Sequence, residues 1–411
     1  MKKITKISVV VAVFLGSFAT YAQEILVVAP GTGTLNAAVA TYQGDRIYQL
    51  QAGKFYQLDN VIENVGYHLQ IIGEEPVNGG KPATLQTNDL GGVPFSSMFD
   101  AKGDVTLKNV YFVNANFNGV VAEHFLFINA ANAKVSMDKC VLDPVGNTAA
   151  FVLSAADDSV MLTNNLFLNH GHELSPNDGH FFVANADIKE LYVENNTFVA
   201  MGTTMLSADF ATHKQGLIKW NHNTWALQKS QLDWSVFEDT YIFTNNLMYD
   251  FNTQPWSQAW QPMPGNDGVA PKPGLIYANK EVDEVLPSTR QQYVQYNNLY
   301  RDPGFYTLID ELNAINAADG VAPLTFMPLV WGPAYNASNP DVNFRSRETI
   351  LFENDTDFPE WKYGNTYNVD PQFEDARIYE HSAKMVMWTK PATLVHAMSK
   401  DPLTVAPVGD W

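Results

Sequence analysis

The six residues Leu162–Phe167, written LTNNLF, recur with variations along the chain. LKNVYF precedes them, and VENNTF, FTNNLM and YNNLY follow. Aligned on the fourth position, the motif falls at Val110, Cys140, Asn165, Asn196, Asn223, Asn246 and Asn298. The gaps are 30, 25, 31, 27, 23 and 52, the last being two steps of 26. A period of this length marks stacked supersecondary units, each too small to bury its apolar face alone. Upstream of most motifs lies a second apolar run: SMF before the first, then FLFI, FVL, FFV and SVF. Each period thus holds at least two short strands rich in Phe, Val, Leu and Ile, parted by Gly, Asn and Asp. Helical periodicity is absent here.

Two or three strands per roughly 27 residues, with no helix between them, describe an all-β solenoid. The architecture expected is a single-stranded, right-handed parallel β-helix whose inward side chains fill one continuous core. A leucine-rich repeat would need another consensus, and a propeller longer blades. The Asn has a physical reason in such a fold. The chain must turn sharply between strands, and Asn tolerates the left-handed conformation better than other residues bearing a side chain. Its amide can also bond its counterpart in the next coil, so Asn165, Asn196 and Asn246 should stack at one corner. Coils with Lys139 or His222 at the third position should lose a rung.

An open solenoid end exposes apolar core and needs a cap. The stretch GTLNAAVATY reads as a short helix, opened by Thr34 or Asn36, that plugs the N-terminal end. IYQLQAGKFYQL and YHLQIIGEE read as the first coils.

At these residues the chain resembles a family. LNAAVATYQGDRIYQLQAGKFYQLDN, HLQIIGEE and then VTLKNVYFVN look like the secreted pectate-lyase-like right-handed β-helix proteins of Bacteroidetes-type bacteria. NVDPQFED and APVGDW are similar to that group's closing segments. The likeness covers most of residues 23–411, and its motifs are architectural. It implies carbohydrate-related work without carrying a catalytic residue onto this chain.

The opening residues MKKITKISVVVAVFLGSFATYAQ join lysines, an apolar run and a small-residue site before Gln23. Residues 1–22 therefore read as a secretory signal peptide, and the protein as secreted: extracellular, on the cell surface or periplasmic. No later stretch reaches the roughly 18 apolar residues of a spanning helix. The formal net charge is −19, and loss of three leader lysines takes it to −22. Such a balance argues against nucleic acid and anionic membranes, which attract basic patches. One cysteine, Cys140, excludes an intramolecular disulfide, so stability must come from the core. Residues 23–254 read as capped β-helix. From about Pro255, Pro, Gly and Trp become frequent, and residues 255–411 read as late coils with long loops and a C-terminal cap.

Several groups have chemical potential. HGHELSPNDGH gathers His170, His172, Glu173, Asp178 and His180, donors suited to a divalent metal, though the stretch also reads as a solvated turn loop. Asp157-Asp158 resembles the paired aspartates of polygalacturonase-type hydrolases. The Gly-His-Gly and Arg-Ile-Lys that follow such a pair do not match here. A β-elimination site needs a base beside a uronate carboxylate and a cation, Arg or Ca²⁺, to neutralise it.

Strand alternation locates a candidate. If motif positions one and six point inward, the residue before position one points outward: Thr106, Ser136, Met161, Tyr192, Lys219 and Ile242. Tyr192 and Lys219 are then neighbours about 4.8 Å apart, with Glu194 on the same face. They can serve as acid, base and orienter, or form a surface salt bridge. Trp220 and Trp225 fall at inward positions, so sugar-stacking rings are sought in the loops, at Trp256, Trp260, Trp331 and Trp361. The function expected is binding, and cleavage by a lyase route, of a polysaccharide. The rival is a non-catalytic, self-assembling component of a surface layer, fibre or matrix.

Overall fold

The computed structural model describes residues 23–77, 80–90, 93–146, 148–170, 180–199, 201, 205–208, 213, 215–226, 233–234, 237–249, 291–300, 314–315, 317–318 and 366–367. These wind into a right-handed parallel β-helix with three sheets, here called I, II and III. Among the described residues, sheet I has ten strands, sheet II eleven and sheet III seven, with every pairing within them parallel. One coil shows the path: His180–Ala184 in sheet III, Ile188–Glu194 in sheet I, then Thr197–Val199 in sheet II. The repeated motif straddles the corner between sheets I and II. Its first two residues end one strand and its last two open the next.

The strands Gln291–Gln295, Asn298–Tyr300 and Thr366–Tyr367 extend sheets I and II, so coiling continues beyond residue 255. A small antiparallel hairpin, Asp89–Leu90 with Val93–Pro94, is inserted between a sheet II strand and a sheet III strand. No helix among the described residues is long and apolar enough to cross a membrane.

The N-terminal helix α1 (Thr34–Tyr42) buries Leu35 and Val39 against the core. Its cap is neither Thr34 nor Asn36. Gly33 stands there in the left-handed conformation, at φ 70°, and a Cβ on it would collide with the Asp59 carboxylate. The Thr34 hydroxyl turns back to donate to the Gly31 carbonyl, and Asn36 ties the helix to the next turn at Asp59 and Asn60. Two strands expected from neither apolar run, Ile25–Val27 and Gly31–Thr32, precede the helix and begin sheets I and II.

The corner divides the two duties expected of one Asn. The third motif position takes the left-handed turn, at φ between 52° and 57° for Asn109, Lys139, Asn164, Asn195, His222, Asn245 and Tyr296. The fourth forms the ladder, at Asn165, Asn196, Asn223, Asn246 and Asn297, all fully buried. The last rung is thus Asn297 and not Asn298, 51 residues after Asn246. Each ladder oxygen accepts from the coil below, and each side-chain amide donates to a carbonyl of that coil: Asn223 Nδ2 to Val193 O at 2.8 Å, Asn246 Nδ2 to Trp220 O at 3.1 Å. The ladder stops at Cys140, whose backbone amide donates to Asn165 Oδ1 at 2.9 Å.

Lys139 and His222 leave this inner ladder intact. What His222 interrupts is a second, outer chain of third-position amides, in which Asn195 Nδ2 donates to Asn164 Oδ1 and Asn164 Nδ2 to Asp138 Oδ1.

Motif positions one and six do point inward. Leu107, Met137, Leu162, Val193, Trp220 and Phe243 form one buried column, and Phe112, Leu142, Phe167, Phe198, Trp225 and Met248 another. Phe167, Phe198, Trp225 and Phe243 stack successively at 5.0, 5.4 and 5.6 Å. An aromatic pile adds favourable ring contacts to the area that it buries.

Candidate functional site

The three outer faces differ in what they offer a ligand. On sheet II the outward residues Leu166, Leu168, Thr197, Val199, Thr224, Ala226, Leu247 and Tyr249 are all buried, so this face is not open. Sheet III presents an apolar line in which Phe127 and Val183 are half-buried and Val152 is buried. Sheet I is polar and accessible.

Its register sets Thr106, Ser136, Met161, Tyr192, Lys219 and Ile242 in one outward column. A second column runs beside it: Lys108, Asp138, Thr163, Glu194, Asn221 and Thr244. Many of its members are bonded to one another. Lys108 pairs with Asp138 at 3.3 Å, Thr163 Oγ1 donates to Asp138 Oδ1 at 2.9 Å, and Thr244 Oγ1 to Asn221 Oδ1 at 2.9 Å. Burial works to raise the Asp138 pKa, but bonds from Asn164, Thr163 and Lys108 outweigh it and hold the carboxyl below its ordinary value.

Tyr192, Lys219 and Glu194 meet where the columns adjoin. Lys219 is the registered partner of Tyr192 one coil on, with its ammonium 6.0 Å from the centre of the Tyr192 ring. The same ammonium lies 2.5 Å from Glu194 Oε1. All three side chains are half-exposed, so the group is reachable from solvent. Burial raises the Tyr192 pKa, with Glu190 and Glu194 adding and Lys219 opposing, and the phenol keeps its proton at neutral pH. Glu190, on the same strand face, accepts a longer bond from Ser159 Oγ at 3.4 Å.

His222, singled out in the sequence only as a gap in the Asn pattern, belongs to this surroundings. It directly follows the strand Gln215–Asn221 that carries Lys219, and both Glu194 and Lys219 act on its ring electrostatically. Burial, helped by Lys219 and opposed by Glu194, lowers its pKa below the ordinary imidazole value.

The other expected sites fare differently. His170 is fully buried beside the sheet II strand Leu166–Leu168, and His180 is a half-buried residue opening a sheet III strand. His172, Glu173 and Asp178 lie outside the described residues, as do Trp256, Trp260, Trp331, Trp361 and residues 1–22. Among the described residues no group of three or more His, Cys, Asp or Glu is placed to hold a metal ion. Asp157 and Asp158 do not act as a pair. Asp157 is exposed at φ 63°, while Asp158 is fully buried and accepts from the Ala133 amide at 2.6 Å. Two carboxyls on opposite sides of the wall cannot flank one glycosidic bond.

Comparison with protein families and with curated proteins finds no match to this chain.

Proposed function

We propose that this β-helix binds a polysaccharide along the outer face of sheet I and cleaves it there by β-elimination, outside the cell or at its surface. The observation that carries the reading is the registered pair Tyr192–Lys219, with Glu194 closing on the lysine. A uronate carboxylate set against Lys219 would have its developing negative charge neutralised. Glu194 holds the ammonium in place, and the Tyr192 hydroxyl is a proton donor for the leaving oxygen. The flat face continues over several coils at strand spacing, room for more than one sugar unit.

The test is incubation of the protein with alginate, pectate, glycosaminoglycans and neutral glycans, followed by ultraviolet absorbance of unsaturated uronate, alongside a glycan-binding array. Both are run with and without Ca²⁺. A net charge of −19 opposes an anionic polymer, and a divalent ion can bridge carboxylates on the two. Absorbance from an acidic polymer supports the reading. Binding without product reduces it to a binding module, and neither binding nor product overturns it.

A second reading, self-assembly as a structural component of a surface layer, fibre or matrix, is favoured by one observation. Ile25–Val27 is the outermost described strand of sheet I, and Ile25 and Val27 are 58% and 53% exposed. An apolar edge strand is a template for pairing with another chain. Concentration-dependent oligomers in sedimentation support it. A monomer at high concentration across salt and calcium counts against it.

A further inference from the structure

Among residues that bear a side chain, Asn best tolerates the left-handed third motif position, and it stands there at 109, 164, 195 and 245. In the coil of the candidate site it is His222, held at φ 54°. The exchange has a second cost. Asn164 Oδ1 is met by the side-chain amide of the next coil, whereas Asn195 Oδ1, facing the His222 coil, is buried without a partner. Nothing local offsets either loss, for the half-exposed His222 ring makes no hydrogen bond to any described residue. A residue that breaks a local rule with no structural return is the signature of a functional position.

The charges around His222 point the same way. Glu194 of the coil below is registered with Asn221, the residue before His222, and Lys219 lies on the strand that leads into it; the coil above brings Thr244, whose carbonyl accepts from the His222 amide, and Asn245, neither of which titrates. Lys219 is engaged as an ammonium by Glu194 at 2.5 Å, and an ammonium has no lone pair with which to take a proton. With Glu194 committed to that ammonium, the site holds a cation and a proton donor but needs a base.

We propose that His222 is that base, with Lys219 the neutralising cation and Tyr192 the acid. The assignment rests on the elimination reading above. The neutral imidazole takes the proton from the ring carbon bearing the uronate carboxylate, C5. The electron pair of that C–H bond, held against Lys219 through the carboxylate, forms the C4=C5 double bond. The C4–O bond breaks, its pair stays on the leaving oxygen, and that oxygen takes the Tyr192 phenol proton. Imidazolium and phenolate then return to neutral by proton transfer through solvent. No water or redox partner is consumed. The products are a chain ending in an unsaturated uronate and a chain with a new hydroxyl. The lowered pKa of His222 keeps it unprotonated at neutral pH.

His222→Asn makes the test sharp, because it restores the residue that the corner prefers and gives Asn195 Oδ1 a donor. The variant should melt at or above the wild-type temperature while product formation falls by about 100-fold or more. The wild-type kcat/KM should fall only below the ordinary imidazole range, and the variant's residual rate should lack that acidic limb. His222→Ala should be equally inactive. An active wild type with an undiminished His222→Asn variant overturns the base and leaves the elimination reading standing. A wild type that binds uronate polymers but yields no product overturns both.

Discussion

Asn196 Oδ1 accepts at once from the backbone amide and the side-chain amide of Asn165, one coil below, at 2.8 and 3.0 Å. Its own amide nitrogen reaches Leu162 O at 2.9 Å, Glu194 O at 3.0 Å and Asn223 Oδ1 at 3.2 Å. One buried side chain thus closes the corner of three successive coils. Polar groups sealed from water must be met inside the protein, and here the ladder meets them.

Asn196→Val should therefore destabilise the protein by about 2–4 kcal/mol, since each buried polar group left unmet costs about 1–3 kcal/mol. The loss would appear as a lower urea midpoint at unchanged slope. A change below about 0.5 kcal/mol, the range of an ordinary surface substitution, would mean that the ladder is not a source of stability.

Asp158 should make stability depend on pH. Burial first, then the Asp157 and Asp104 carboxylates, raise its pKa from 3.8 to about 7, against the Ala133 amide, which favours the ionised form. One oxygen, Oδ2, has no partner. The folded state therefore holds a proton that the unfolded state releases between those values. The resulting stabilisation is fully present below 3.8 and is lost as pH rises through about 7. Asp158→Asn keeps an acceptor for Ala133 and removes the ionisation. The melting temperature of wild type minus variant should fall steadily across that window, and parallel curves would contradict the assignment.

The coil was legible in the sequence because inward position and strand alternation are local. Leu162, Val193 and Trp220 share a column on the strength of motif register alone, and so do Tyr192 and Lys219. The division of labour between Asn195 and Asn196 was not legible, since a neighbouring Asn pair does not show which one turns the chain and which turns inward. The buried outer face of sheet II did leave a signal. LFL, TFV, TWA and LMY run without alternation, as strands covered on both sides do. The Gly33 cap was hidden because its requirement comes from Asp59, a residue of the next turn. His222 was visible only as a missing Asn, for its relation to Glu194 depends on the coil spacing.

Self-association, if it uses the first strand, should respond to charge placed there. Ile25 and Val27 point outward beside Ile47 and Gln49. Val27→Lys puts a solvated cation on the edge, a device by which natural sheets discourage pairing. Any oligomer seen for the wild type by sedimentation should shift to monomer, with the thermal midpoint moved little. An unchanged oligomer would place the contact elsewhere.

Lys219→Ala separates chemistry from stability most directly. The Lys219–Glu194 pair is partly exposed, and pairs of that kind contribute about 0–1 kcal/mol. The ammonium also lies near the Tyr192 ring at 6.0 Å, an outer distance for a cation–aromatic contact. Removal should thus leave the melting temperature within a few degrees of wild type. Elimination should suffer far more, because loss of a positioned charge that meets a developing anion costs about 100- to 1,000-fold in rate. Lys219→Arg, which keeps the charge but changes its shape, should recover part of that rate. Glu194→Gln frees the ammonium without removing it, and should lower the rate less than Lys219→Ala does. A Lys219→Ala protein that forms unsaturated product at the wild-type rate would remove the lysine from the chemistry and leave it a surface ion pair.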